Sequence, residues 1–149
     1  MTETVSLNRG VFYSSKKRKH LHQDEISQKK LKKYNMPRFV IHCSENIIDL
    51  KSPEEIMQEV YSSAESTGLF EQGDIKVRID PFRYYNNGNS KDNFIHVFAN
   101  IMEGRNIGQK DDLLRSIMKK LKMMFPEVPM ISMNIRDFEK AGYCNKSMI

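Results

Sequence analysis

Met36-Pro37-Arg38-Phe39-Val40-Ile41-His42-Cys43-Ser44-Glu45-Asn46-Ile47 is the stretch on which the reading of the fold turns. Its run of Phe, Val and Ile predicts a first strand from about Pro37 to Cys43, broken by Ser44-Glu45-Asn46. Proline has no N–H to give to a ladder, so the first residue of a strand is where it is tolerated. The Met-Pro pair has a second reading, in which Met36 starts the protein and Pro37 is its N-terminus. An N-terminal proline carries a free secondary amine, which can act as a base. An internal proline carries an amide nitrogen with no useful basicity. His42 and Cys43 fall on opposite faces of such a strand, so they do not form a nucleophile and its base.

Upstream of this stretch the composition changes. The chain has 149 residues, enough for one domain, with 39% hydrophobic and 29% charged residues and a net charge of +5. Residues 1–35 hold nine Lys and Arg against three acids, which makes them +6 and leaves the remainder at −1. The basicity therefore belongs to the leader, and the remainder offers no electrostatic case for nucleic acid. Ser14-Ser15-Lys16-Lys17-Arg18-Lys19-His20 reads as a solvated, disordered run, with a nucleic-acid arm as the rarer alternative. Lys29-Lys30-Leu31-Lys32-Lys33 implies purine-rich codons just ahead of Met36, as a bacterial ribosome-binding site read as protein would. Residues 1–36 are thus expected to be a basic leader, disordered or a product of a misassigned start, and 37–149 the domain. The leader lacks the apolar core of a secretory signal, and nowhere is there an apolar run fit for a membrane. Two cysteines without a pairing pattern, Cys43 and Cys144, suggest reduced thiols and a cytoplasmic protein. His20-x-His22 is a weak metal signal.

Downstream, Ser52-Pro53-Glu54-Glu55 reads as a helix start, with Ser at the N-cap, Pro at the first position and Glu at the third as a capping box. Ile56, Met57, Val60, Tyr61 and Ala64 follow at helical spacing, and Gly68 supplies the stop. A second strand is expected from Asp74 to Ile79, with Ile75, Val77 and Ile79 on one face, Lys76, Arg78 and Asp80 on the other, and Pro81 as its end. The third strand, about Asn93 to Met102, sets Ile95, Val97, Ala99 and Ile101 against Phe94, His96, Phe98, Asn100 and Met102. Asn106 at the N-cap with Gln109 at the third position opens a second amphipathic helix through Leu113, Leu114, Ile117, Met118, Leu121, Met124 and Phe125, which Pro126 ends. A fourth strand from about Val128 to Ile135 precedes a tail, 138–149, with room for one short strand. The order β-α-β-β-α-β predicts an α+β subunit of two right-handed crossovers, with a four-stranded sheet and both helices on one face. The aromatic face of the third strand would be left wet, so other subunits are expected to cover it.

Met-Pro at the start, Pro37 to Ile41 leading into Cys43-Ser44-Glu45-Asn46-Ile47, the Thr67-Gly68-Leu69-Phe70 step and Gly104-Arg105 before the second helix together resemble the 5-carboxymethyl-2-hydroxymuconate isomerase family of the tautomerase superfamily. The resemblance runs over about residues 36–149. It implies a homotrimer and an amino-terminal proline, here Pro37, that moves a proton between carbons or between oxygen and carbon. It implies no metal and no organic cofactor. It also implies a small carboxylate substrate, an unsaturated enolisable di- or tricarboxylic acid from aromatic catabolism. Lys76, Arg78 and Arg105 would bind its carboxylates and lower the proton affinity of the amine. Lys76 stands where the family has arginine, which keeps the charge but loses the planar fork.

Each of these residues also has a plainer reading. Pro37 can be an ordinary strand-start proline, Arg105 a solvated turn residue, and Lys76 and Arg78 a solvated strand face. His96 between two phenylalanines is more often hydrogen-bonded interior than base, and the methionines of the second helix are core fillers. Two other functions share the same fold: an inactive tautomerase-fold binding protein with the leader as a basic arm, and a broad-specificity tautomerase with another substrate.

Overall fold

The computed structural model of the chain describes residues 36–149. The leader, with its basic run and His20-x-His22, lies outside the described residues. The first strand, β1, is Arg38–Ser44, followed by one helical turn, Ile47–Leu50. The first long helix, α1, is Pro53–Ser66, and β2 is Lys76–Phe82. Then come β3 at Phe94–Met102, α2 at Ile107–Met124 and β4 at Met130–Phe138. Two short 3-10 turns, Lys140–Gly142 and Lys146–Met148, follow.

Both long helices start where local chemistry dictates. At α1, Pro53 takes the first position and Ser52 Oγ accepts from the Glu55 amide at 3.2 Å, the serine half of the expected box. At α2 the box is complete: Asn106 Oδ1 accepts from the Gln109 amide at 2.8 Å, and Gln109 Oε1 accepts from the Asn106 amide at 3.0 Å. After Thr67, Gly68 turns the chain out of α1 with a φ of +69°, the left-handed backbone that glycine adopts without strain.

The strands line up as β2-β1-β3-β4. β1 runs parallel to β2 and β3 parallel to β4, while β1 and β3 meet antiparallel. This is the expected pair of β-α-β halves. Phe39, Ile41 and Cys43 of β1 and Ile95, Val97, Ala99 and Ile101 of β3 are buried in one core with Ile56, Val60 and Ala64 of α1 and Leu113, Ile117 and Leu121 of α2. Among the described residues, the buried members of that core run from Phe39 to Val128. No helix among the described residues is long and apolar enough to cross a membrane.

Beyond shifts of one or two residues at strand ends, three elements differ from the sequence reading. β2 continues through Pro81 to Phe82, because it is an edge strand and one row of its N–H groups has no neighbour to serve. β4 starts at Met130 and runs on to Phe138, through Arg136 and Asp137, which an edge strand accommodates. The tail forms 3-10 turns instead of a strand, and it holds the start of β1, as described below.

Asn106→Ala removes the side-chain half of the α2 cap and should cost about 1 kcal/mol. Leu121→Ala opens the core and should cost about 2–5 kcal/mol. Urea denaturation of the two variants should show lowered midpoints in that order of severity with an unchanged slope.

Candidate functional site

Pro37 is buried at the mouth of β1, and its carbonyl accepts from the Lys76 amide at 3.0 Å. Strand register places the cations. Arg38 pairs with Lys76 on one side and Asn100 on the other, and Asn100 pairs with Arg136. Lys76, Arg38, Asn100 and Arg136 therefore form one row across the helix-free face, immediately beside Pro37. Arg78 stands in the next row, opposite Val40. Neighbouring strands are about 4.8 Å apart, and like charges directly opposite on one face repel. Arg38, Arg78 and Arg136 are exposed, and none of the ion pairs among the described residues involves them. The Lys76 ammonium donates to the Gly73 carbonyl at 2.6 Å. Such a row of cations attracts a carboxylate and is relieved by binding one.

Arg105 sits elsewhere and differently. It is only 8% exposed. Its NH2 group donates to the Leu69 carbonyl at 2.9 Å, its NH1 group lies 3.4 Å from the Met102 carbonyl, and the guanidinium covers the Phe70 ring at 5.5 Å. Burial lowers its proton affinity and the Asp137 carboxylate partly restores it. Phe70 meets Phe39 of β1 edge-on at 6.1 Å. Arg105 thus braces the Leu69-Phe70 step against the strand that begins at Pro37.

The chain's C-terminal segment reaches the same place. Tyr143 Oη donates to Met36 Sδ at 2.7 Å, and Asn145 Nδ2 lies 3.9 Å from the same sulfur. The Tyr143 ring packs on Phe138 at 5.5 Å. A cavity of about 270 Å³ opens here, lined by Arg38, Asn100, Phe138, Gly142 and Tyr143. Sequence reading missed Arg38, Asn100, Arg136, Tyr143 and Asn145. The alternation of β1 puts Arg38 on the outer face, but its neighbours follow from register, and the tail's path follows from tertiary contact alone.

Beyond that row the open face carries an aromatic cluster among polar side chains. His42 lies against Phe82 and Phe98, each at 4.9 Å, and His96 against Phe98 at 4.3 Å. The His96 ring nitrogens bond Ser132 Oγ at 2.6 Å and Asn134 Oδ1 at 2.7 Å, which makes it the hydrogen-bonded histidine expected of it. Among the described residues no three His, Cys, Asp or Glu side chains gather into a metal-binding group.

Residues 37–149 match the profile of the family described as 5-carboxymethyl-2-hydroxymuconate isomerase. The chain belongs to that family. The match begins at Pro37, the residue around which the cation row is arranged. The crystal structure of a 5-carboxymethyl-2-hydroxymuconate isomerase from Deinococcus radiodurans R1 superposes with a TM-score of 0.68 at 22% identity, over 76% of this chain and 90% of that one. A 5-carboxymethyl-2-hydroxymuconate delta-isomerase superposes at 0.62 with 14% identity, over 74% and 87%. A fused 4-OT asymmetric trimer superposes at 0.61 with 11% identity, over 73% and 92%. At these identities the likeness is one of fold, the four-stranded mixed sheet with two long helices. No curated protein sequence matches the chain. For a member of the isomerase family, Cys43 is excluded as a surface nucleophile: burial, reinforced by the Asp80 carboxylate, raises its thiol from 9.0 to about 11.

Two consequences can be measured. At pH 8 a thiol reagent should label the exposed Cys144 in the native protein and reach the buried Cys43 only in denaturant. The unfolded thiol titrates near 9.0 and the folded one near 11, so the Cys43 contribution to stability is intact below pH 9 and should be lost as pH rises towards 11. Urea midpoints across that window should fall less in Cys43→Ala than in wild type.

Proposed function

We propose that the protein is a cofactor-free isomerase in which the amine of Pro37, freed as the N-terminal residue, is the general base. It would shift a proton and a double bond in 5-carboxymethyl-2-hydroxymuconate or a related unsaturated 2-hydroxy acid. The observation that carries this reading is the placement of Pro37: buried, at the mouth of β1, where the family match begins and beside a row of cations. Burial and neighbouring positive charge both disfavour a protonated amine, which leaves a base available near neutral pH.

In the proposed reaction the amine takes the proton of the 2-hydroxyl, the resulting dienolate collapses to the 2-oxo form with its double bond shifted, and the protonated amine returns that proton to a carbon of the former diene. Lys76 and Arg78 hold carboxylate and stabilise the enolate as charge moves onto oxygen. Arg105 contributes to the site from behind, through its hold on Leu69, Phe70 and Met102. The subunit is proposed to act as a homotrimer. In support, the face carrying His42, Phe82, Phe94 and Phe98 is half-buried within one subunit and bare of helices, and a trimer stands among the structures of like fold. A cytoplasmic site of action agrees with two unpaired thiols.

The chain beginning at Pro37 should ketonise 2-hydroxydienoates, followed by loss of dienol absorbance, and the chain of 149 residues should not. Pro37→Ala in the shorter chain should lower kcat by about 10²-fold, and the wild-type rate should rise with pH as the amine deprotonates. Arg78→Ala should act mainly on KM. Equal rates for the two chain lengths, or an unaffected Pro37→Ala, would overturn the proposal.

A further inference from the structure

The contacts around Met36 carry a second step, which rests on the reading that the working chain begins at Pro37. Two polar side chains of the C-terminal segment, Tyr143 and Asn145, converge on one thioether: Tyr143 Oη at 2.7 Å from Met36 Sδ and Asn145 Nδ2 at 3.9 Å, with 3.5 Å between the amide and the hydroxyl. A thioether is a weak acceptor for two donors. Both side chains are half-buried and well anchored. Stacking on Phe138 sets the tyrosine ring, and Asn145 Oδ1 accepts from the Ser147 amide at 3.0 Å and from Ser147 Oγ at 2.7 Å, which aims its NH2 group inward. Removal of Met36 takes away the tyrosine's acceptor and leaves the amide only the tyrosine oxygen at 3.5 Å. The same Tyr143 lines the 270 Å³ cavity, whose wall also carries Arg38, the residue directly after Pro37, and Asn100.

We propose that Tyr143, Asn145 and Arg38 form a second carboxylate subsite beside Pro37, filled by the Met36 side chain in the uncut chain and by the distal carboxylate of a dicarboxylic substrate once Met36 is gone. The tyrosine hydroxyl and asparagine amide donate to the carboxylate oxygens, and Arg38 supplies the charge that the thioether never matched. Lys76 and Arg78 stay with the carboxylate at the 2-position, on the β2 side of the proline. The subsite therefore selects for substrates that carry acid groups at both ends. It also gives the loss of Met36 two effects, uncovering the amine and vacating the second acid's place.

The test is binding of two unreactive six-carbon probes, 2-oxoadipate with two carboxylates and 2-oxohexanoate with one, by calorimetry on the chain beginning at Pro37, in wild type, Tyr143→Phe and Asn145→Ala. Tyr143→Phe keeps the ring on Phe138. The diacid should bind wild type at least about tenfold more tightly than the monoacid, and Tyr143→Phe should remove most of that difference while leaving monoacid affinity within about twofold. Asn145→Ala should act in the same direction. Equal affinity for the two probes in wild type, or an equal loss for both in Tyr143→Phe, would overturn the subsite. The readout does not need turnover. A diacid preference that depends on Tyr143 in a chain without isomerase activity would keep the subsite and refute the catalytic reading.

Discussion

β1 is hydrogen-bonded on both edges, and most of the molecule is arranged by that fact. Its parallel partner β2 needs α1 as a crossover, and its antiparallel partner β3 begins the second half. Phe39, Ile41 and Cys43 are fully buried under the two long helices, so the alternation of β1 decides which face is core. A slip of one residue would send those three side chains to the open face and bring Arg38, Val40 and His42 inside. The same register puts Arg38 beside Lys76 and ties Pro37 to the β2 backbone. Core packing and site geometry are therefore consequences of one pairing.

The cations around Pro37 do not stabilise the subunit as ion pairs. The salt bridges among the described residues lie elsewhere, as in Arg83 with Glu45, Lys110 with Asp137 and Lys120 with Glu59. Surface pairs of this kind contribute about 0–1 kcal/mol. A row of like charges has the opposite sign, and its repulsion is relieved when an anion arrives. Arg105 shows the contrast within one chain. Buried, bonded to carbonyls and covering an aromatic ring, it carries its charge inward, while Arg38 and Arg78 present theirs to solvent.

Most of the architecture was legible because it is written locally. Ser52-Pro53 and Asn106 with Gln109 announce their helices in four residues, and the alternation of Ile95, Val97, Ala99 and Ile101 announces β3 together with its buried face. Pro81 misled because a proline's effect depends on whether its strand lies at an edge, which only the assembled sheet decides. The site was legible in part. Pro37, Lys76, Arg78 and Arg105 could be singled out one by one. That Arg105 faces inward, and that Arg38, Asn100 and Arg136 fall in line with Lys76, depends on register and on packing between distant segments. Tyr143 meets Met36 across 107 positions, a contact that no local signal encodes.

The chemistry depends on one covalent fact, whether the nitrogen of Pro37 is an amine or an amide. Intact mass of the protein purified from its native host reads this directly. A mass matching residues 37–149 is the expected result, with Pro37 free to act as a base. A mass matching residues 1–149 would contradict it, since the proposed base would then be an acylated nitrogen with no proton affinity to use.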